Sequence, residues 1–267
     1  MTHTPSHRSK WQRAAFVLLL GSMVQTAFAT VINVSAQDNL NDALARAQAG
    51  DTLKLASGTY KTKLYIDKPI TIEGPADRSA KIVGDRSGRT IAVHAPDVTL
   101  RNLTVSNSGL SLPAMDARLY LEETAPRALV EHNNILDNSV GVYIHGAAES
   151  MVRENKIVGE ATLRVNERGN GVTVWNAPGA QVVDNDISKG RDGIFSNTST
   201  NNTYKGNRFS DLRFAVHYMY TNDSEVSNNI SVGNNMGYVL MFSERLKVYG
   251  NIAVGSRDQG IMLNYVN

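Results

Sequence analysis

Asn185-Asp186-Ile187-Ser188-Lys189-Gly190-Arg191-Asp192-Gly193-Ile194-Phe195-Ser196-Asn197 is followed, 22 residues on, by Asn207-Arg208-Phe209-Ser210-Asp211-Leu212-Arg213-Phe214-Ala215-Val216-His217-Tyr218-Met219. Both stretches hold an apolar residue two places after an asparagine and a second just after a small residue. Working outward, the first feature recurs at Ile135, Ile157, Ile187, Phe209, Ile230 and Ile252, with spacings of 22, 30, 22, 21 and 22. The second recurs at Val142, Val172, Ile194, Val216, Tyr238 and Ile261, with spacings of 30, 22, 22, 22 and 23. The single spacing of 30 in each column predicts an insertion of about eight residues between Ile157 and Val172. Leu103 and Leu110 each lie 32 before Ile135 and Val142, which predicts another around 115–126. On that reading Leu110-Ser111-Leu112 aligns with the glycine-led strands, and the insertion leaves the repeat beside them.

Runs this short and this rich in β-branched residues cannot form helices, so each repeat is a coil of strands that must stack on the next. The expected fold is all-β: a right-handed parallel β-helix of about 22 residues per coil, its interior filled by aligned Ile and Val. Asn133, Asn155, Asn185, Asn207 and Asn228 recur at one turn, where asparagine tolerates a left-handed backbone and stacked amides bond along the axis. Before the repeats, 38–48 places Leu40, Ala43, Leu44 and Ala47 on one helical face. A solenoid end is a row of unpaired strand groups, so this segment reads as a capping helix. A strand at 52–55, a turn at Gly58-Thr59-Tyr60 and strands at 70–72, 82–83, 90–93 and 98–103 follow.

The chain has 267 residues, no cysteine and a net charge of +2, with 19% charged and 7% aromatic residues. Disulfides, thiolate metal sites and cysteine nucleophiles are excluded, and the charge does not suit a nucleic-acid partner. Arg8, Lys10 and Arg13 precede an apolar run over 14–24 and an Ala27-Phe28-Ala29 cleavage pattern. Residues 1–29 therefore read as a cleaved signal peptide, and 30–267 as a single periplasmic β-helix domain. The last repeat reaches Asn267 with nothing to cap it, so the domain reads as truncated at that end.

Strand side chains alternate between faces. Counting from the second column, positions zero and two are mostly aliphatic and face in. Position one, facing out, reads Tyr143, Thr173, Phe195, His217, Val239 and Met262; position three reads His145, Trp175, Asn197, Met219, Met241 and Asn264. Three readings fit this stripe. It is a face covered by the insertions or by a partner. It is a soft-metal site, in which His217, Met219 and Met241 hold Cu(I) transiently and His145 and Met262 are weaker candidates. Or it is a sugar groove with Tyr143, Trp175 and Phe195 as stacking platforms. The outward columns read as free of Asp and Glu, which disfavours lyase and hydrolase chemistry. Asp184, Asp186 and Asp192 cluster elsewhere, near Lys189 and Arg191, and read as turn formers. No Walker, HExxH or GxSxG motif occurs, so an accessory protein is favoured over an enzyme.

Ala49-Gly50-Asp51-Thr52-Leu53, Ser57-Gly58-Thr59-Tyr60 and Lys68-Pro69-Ile70-Thr71-Ile72-Glu73-Gly74 resemble the opening coil of pectin-lyase-like β-helices. The stretch from Arg213 to Asp223, followed by Gly237-Tyr238-Val239-Leu240-Met241-Phe242-Ser243, closely resembles the NosD family. The resemblance runs from about Thr30 to the end and covers an N-terminal portion of that family. It implies a periplasmic maturation factor of denitrification that delivers copper to the copper centres of nitrous oxide reductase. The implied partners are an ABC transporter, with its ATPase and membrane subunit, a copper chaperone lipoprotein and the apo-reductase. The alternative is a carbohydrate-active β-helix of lyase or epimerase type.

Overall fold

Three-strand coils stack in parallel to give three long sheets, each one face of a solenoid. The computed structural model describes residue 1 and residues 29–267. The signal peptide expected over residues 1–29 thus lies, apart from its two end residues, outside the described residues. Sheet A has ten strands from Val31–Val34 to Lys247–Tyr249; sheet B has nine from Gly58–Lys61 to Ile252–Val254. Sheet C also has nine: Leu64–Ile66, Ile91–Val93, Ala117–Leu121, Val140–His145, Val172–Trp175, Asp192–Thr200, Phe214–Asn222, Met236–Ser243 and Ile261–Val266. The all-β expectation therefore holds, with aligned Ile, Val and Leu from all three sheets filling one continuous core. Among the described residues, no helix is long and apolar enough to cross a membrane.

The expected capping helix is present and shorter, α1 at Leu40–Arg46. Asn39 caps it by accepting from the Asn41 amide, and Leu40, Ala43 and Leu44 are buried. Lys68 Nζ donates to the carbonyls of Leu44, Ala45 and Ala47, tying the helix C-terminus to the coil below.

Asparagines run down one corner as Asn133, Asn155, Asn185, Asn207, Asn229 and Asn251. Each Nδ2 donates to the next Oδ1 at 2.9–3.1 Å. Each Oδ1 from Asn155 onward also accepts the backbone N–H of the asparagine one coil earlier. Buried amides are thus fully used, which is what a dry corner demands. The left-handed residue at this corner is not the ladder asparagine but the one before it, such as Asp184, Gly206 or Asn228.

Four details of the repeat differ from expectation. First, the ladder passes through Asn229 rather than Asn228, so the first column slips by one residue. Phe209 aligns with Ser231 and Ala253, and Ile230 and Ile252 face outward. The interior accepts small residues there because the buried Tyr238 ring reaches across to the carbonyls of Asn229 and Ile252. The odd spacing of 21 was the trace of this slip. Second, Ile135 aligns with Val105 rather than Leu103, and Val142 with Leu119 rather than Leu110. The sheet C strand of that coil is Ala117–Leu121, inside the segment expected to be an insertion, and the insertion precedes it, over 107–116. Gly109 misled the alignment, because five of the six second-column residues from Val142 to Ile261 follow a glycine. That glycine recurs because a Cβ at Gly141 would stand 2.4 Å from the Gly171 carbonyl of the next coil. Third, Gly58–Lys61 is a strand of sheet B, not a turn. Fourth, the expected strand over 98–103 is two strands, Thr99–Arg101 and Leu103–Ser106, split by left-handed Asn102.

Candidate functional site

Sheet C carries the predicted stripe in the predicted register, except that Thr173 and Val239 of the outward column are buried and Ile261 and Leu263 of the inward one are exposed on the last coil. Val142, Val172, Ile194, Val216, Tyr238 and Ile261 align strand to strand. Val142, Ile144, Val174, Ile194, Val216 and Leu240 are fully buried, while Tyr143, Phe195, His217, Met219 and Met241 are partly exposed. Alternation along a pleated strand allows no mixed answer, so these residues share the outer face. Both insertions leave the solenoid at the corner between sheets B and C and so flank this face. Leu112 and Met115 of the first, together with Tyr143, pack on the cluster of Ala117, Tyr120 and Val140.

The five candidate metal residues fall into separate groups. Met219 and Met241 pair directly across adjacent coils, where strands lie about 4.8 Å apart. His217 is two residues before Met219 and projects from the same face. His145 is elsewhere. Its column runs through Trp175 and Asn197 before reaching Met219, three coils away. Its ring stacks on Trp175 at 4.6 Å and on Tyr120 at 5.7 Å. Met262 pairs with Val239 and so lies two coils beyond His217. Among the described residues, no three His, Asp or Glu side chains converge as a hard-ligand cluster.

His217 is the most elaborately held side chain of the stripe. Its Nδ1 lies 3.1 Å from Asp192 Oδ2. Arg213 clamps the same carboxylate, Nε to Oδ1 at 2.8 Å and Nη2 to Oδ2 at 2.5 Å. Phe195 and Phe214 flank the imidazole with ring centroids at 5.0 and 5.3 Å. Burial pushes the Asp192 carboxyl up, but the hydrogen bonds from His217 and Arg213 outweigh it and hold it below its ordinary value. The expected cluster of Asp184, Asp186 and Asp192 is therefore a correction. Asp184 sits at a left-handed corner and Asp186 on sheet B, while Asp192 is 1% exposed under the stripe. Its place was masked in the sequence because it lies two residues before the column and acts on the next coil.

The earlier coils carry a second correction. Leu121 pairs with Val93 and Ile144, so Glu122, the residue after it, occupies position three beside His94 and His145. The outward columns are thus not free of carboxylates. Arg89 holds Glu122 at 2.8 Å and lies over the Tyr120 ring at 3.3 Å. Burial pushes the Tyr120 hydroxyl up to about 12. Beside the methionines, Tyr220, Phe242 and Tyr265 stack at 5.3 and 5.4 Å, each with a left-handed backbone. Their spacings of 22 and 23 residues were the available signal.

Residues 153–267 match the family described as periplasmic copper-binding protein (NosD). A curated relative from Stutzerimonas stutzeri, named probable ABC transporter binding protein NosD, is 32% identical over 213 residues, 80% of this chain and 48% of the relative. One of the same name from Pseudomonas aeruginosa is 31% identical over 148 residues, 55% of this chain and 34% of the relative. The chain spans about half the length of the curated relatives it matches. Among solved structures, an alginate lyase from Paenibacillus sp. str. FPU-7 matches with a TM-score of 0.65 at 15% identity, covering 89% of this chain and 99% of that one. A polygalacturonase from Erwinia carotovora ssp. carotovora matches at 0.64 and 10%, covering 89% and 80%. At such identities these two share the fold alone. The match over 153–267 and the identity to NosD-named relatives across much of its length make the NosD family the one this chain is similar to.

Proposed function

We propose that this chain is part of a periplasmic copper-handling protein that passes Cu(I), as cargo, toward the copper centres of nitrous oxide reductase in concert with an ABC transporter. The transfer residues are His217, Met219 and Met241. The observation that carries the reading is their register: two thioethers paired on neighbouring coils, with an imidazole two residues along the same outward face. One imidazole and two thioethers form a soft donor set suited to Cu(I) rather than to hard cations. Thioethers on flexible stems converge over one coil spacing. Ligands on an open stripe exchange readily, as a transfer site requires. The copper-binding description of the family and the relatives' transporter-binding name support the cargo and the partner. The chaperone lipoprotein and the apo-reductase, as donor and acceptor, belong to the same proposal.

The test is an anaerobic Cu(I) competition titration of the full chain against a His217→Ala/Met219→Ala/Met241→Ala variant. Loss of binding in the variant, with unchanged circular dichroism, is expected. Equal affinity would leave the stripe as a docking or packing surface.

A further inference from the structure

The copper reading leaves one choice open at His217: which nitrogen meets the metal. Only an unprotonated ring nitrogen binds, and a neutral imidazole carries its single proton on either Nδ1 or Nε2. Three observations decide the matter. The atom facing Nδ1 is Oδ2 of Asp192, 3.1 Å away. Asp192 is nearly inaccessible to solvent and receives two further hydrogen bonds from Arg213. A carboxylate bound in this way is ionised, and an ionised carboxylate only accepts, so Nδ1 must bring the proton. Second, the ring is held in place. Phe195 lies against it at 48° and Phe214 at 83°, so the ring is packed from two sides in the orientation that turns Nδ1 to Asp192. Third, no described residue hydrogen-bonds Nε2, and the side chain keeps 12% of its surface exposed.

We propose that Asp192 is the positioning residue of the copper site, holding His217 as the Nδ1–H tautomer so that Nε2 presents its lone pair to the metal. This rests on the copper reading of His217. Ligating histidines characteristically donate their second ring N–H to a carboxylate, which fixes orientation and raises basicity. Here that carboxylate comes from the preceding coil. Asp192 pairs with Phe214, three residues before His217, and reaches diagonally to it. Arg213 has a second consequence. It donates to both carboxylate oxygens and, with Asp192 1% exposed, holds the carboxylate beneath the stripe, whose outward donors are one nitrogen and two sulfurs. The ion pair supports the histidine while keeping a hard ligand out of a soft site.

The experiment uses the full chain, labelled with 15N at histidine, metal-free and at pH 8. Long-range proton–nitrogen correlation reads the tautomer, and loss of the signal in His217→Ala assigns it. Protonated Nδ1 and bare Nε2 are expected; a dominant Nε2–H tautomer overturns the proposal. Anaerobic Cu(I) competition then compares Asp192→Ala and the near-isosteric Asp192→Asn, the second guarding against misfolding in the first. Each is expected to bind Cu(I) roughly 10- to 100-fold more weakly and to lose the single tautomer. Wild-type affinity in a folded Asp192 variant, with binding lost in His217→Ala, overturns the role of Asp192 alone. Wild-type affinity in His217→Ala overturns the copper site itself, and this proposal with it.

Discussion

The coils carrying Tyr120, Glu122, His145 and Trp175 and those carrying Phe195, His217, Met219 and Met241 occupy the same two columns of sheet C, yet they present different surfaces. In the earlier stretch the side chains are engaged with one another, although the buried His145 Nδ1 makes no hydrogen bond. Arg89 pairs with Glu122 and covers Tyr120, His145 is sandwiched between Tyr120 and Trp175, and Leu112 and Met115 close over the Tyr120 ring. In the later stretch the ion pair lies beneath the face, between Asp192 and Arg213, and the two thioethers stay on top. Register decides which residues share a face; what an insertion covers, and where the ion pair sits, decides which of them remain available.

The largest expected effect separates the two stretches by copper. Met219→Ala/Met241→Ala should weaken Cu(I) binding roughly a hundredfold, about 2.7 kcal/mol. His145→Ala/Trp175→Ala should leave it within about twofold. Anaerobic competition with a chromogenic chelator measures both, and a strong effect of His145 would merge the stretches into one site.

Next comes the cover over the earlier stretch. Met115→Ala removes a side chain packed on the Ala117, Tyr120 and Val140 cluster and should cost about 1–2 kcal/mol, half-burial making it milder than a core deletion. The urea midpoint measures it, and Cu(I) affinity should not move. The later stretch has a core flaw instead. Tyr218, fully buried under His217 and Met219, has a hydroxyl with no partner among the described residues. Tyr218→Phe should therefore raise stability by about 1 kcal/mol. Destabilisation would mean that the hydroxyl is bonded through water.

Acid should produce the smallest effect. The Asp192 carboxyl is lowered on balance, since burial opposes the bonds from His217 and Arg213. A carboxyl lowered in the folded state adds stability that is present above its unfolded value, near 3.8, and lost as pH falls through the folded value. The stability gap between wild type and Asp192→Asn should thus hold at pH 7 and narrow below about pH 4. Urea unfolding of both proteins at the two pH values checks this. A gap constant down to pH 3 would show that the Asp192 charge contributes nothing.

The 22-residue recurrence of apolar residues and asparagines alone determined a parallel solenoid, the second column, and the shared face of His217, Met219 and Met241. It could do so because strand stacking converts a constant spacing into contact between coils, and pleating converts parity into facing. It also led to α1 through the spacing of Leu40, Ala43, Leu44 and Ala47. Only the tertiary structure decided what spacing does not encode. The slip to Ser231 answers the bulk of the Tyr238 ring inside the coil. The place of Ala117–Leu121 is set by strand pairing that a misleading Gly109 obscured. The contact of Asp192 with His217 crosses from one coil to the next on a diagonal. Each depends on side-chain volume or reach across coils, and those distances exist only once the chain has closed its turns.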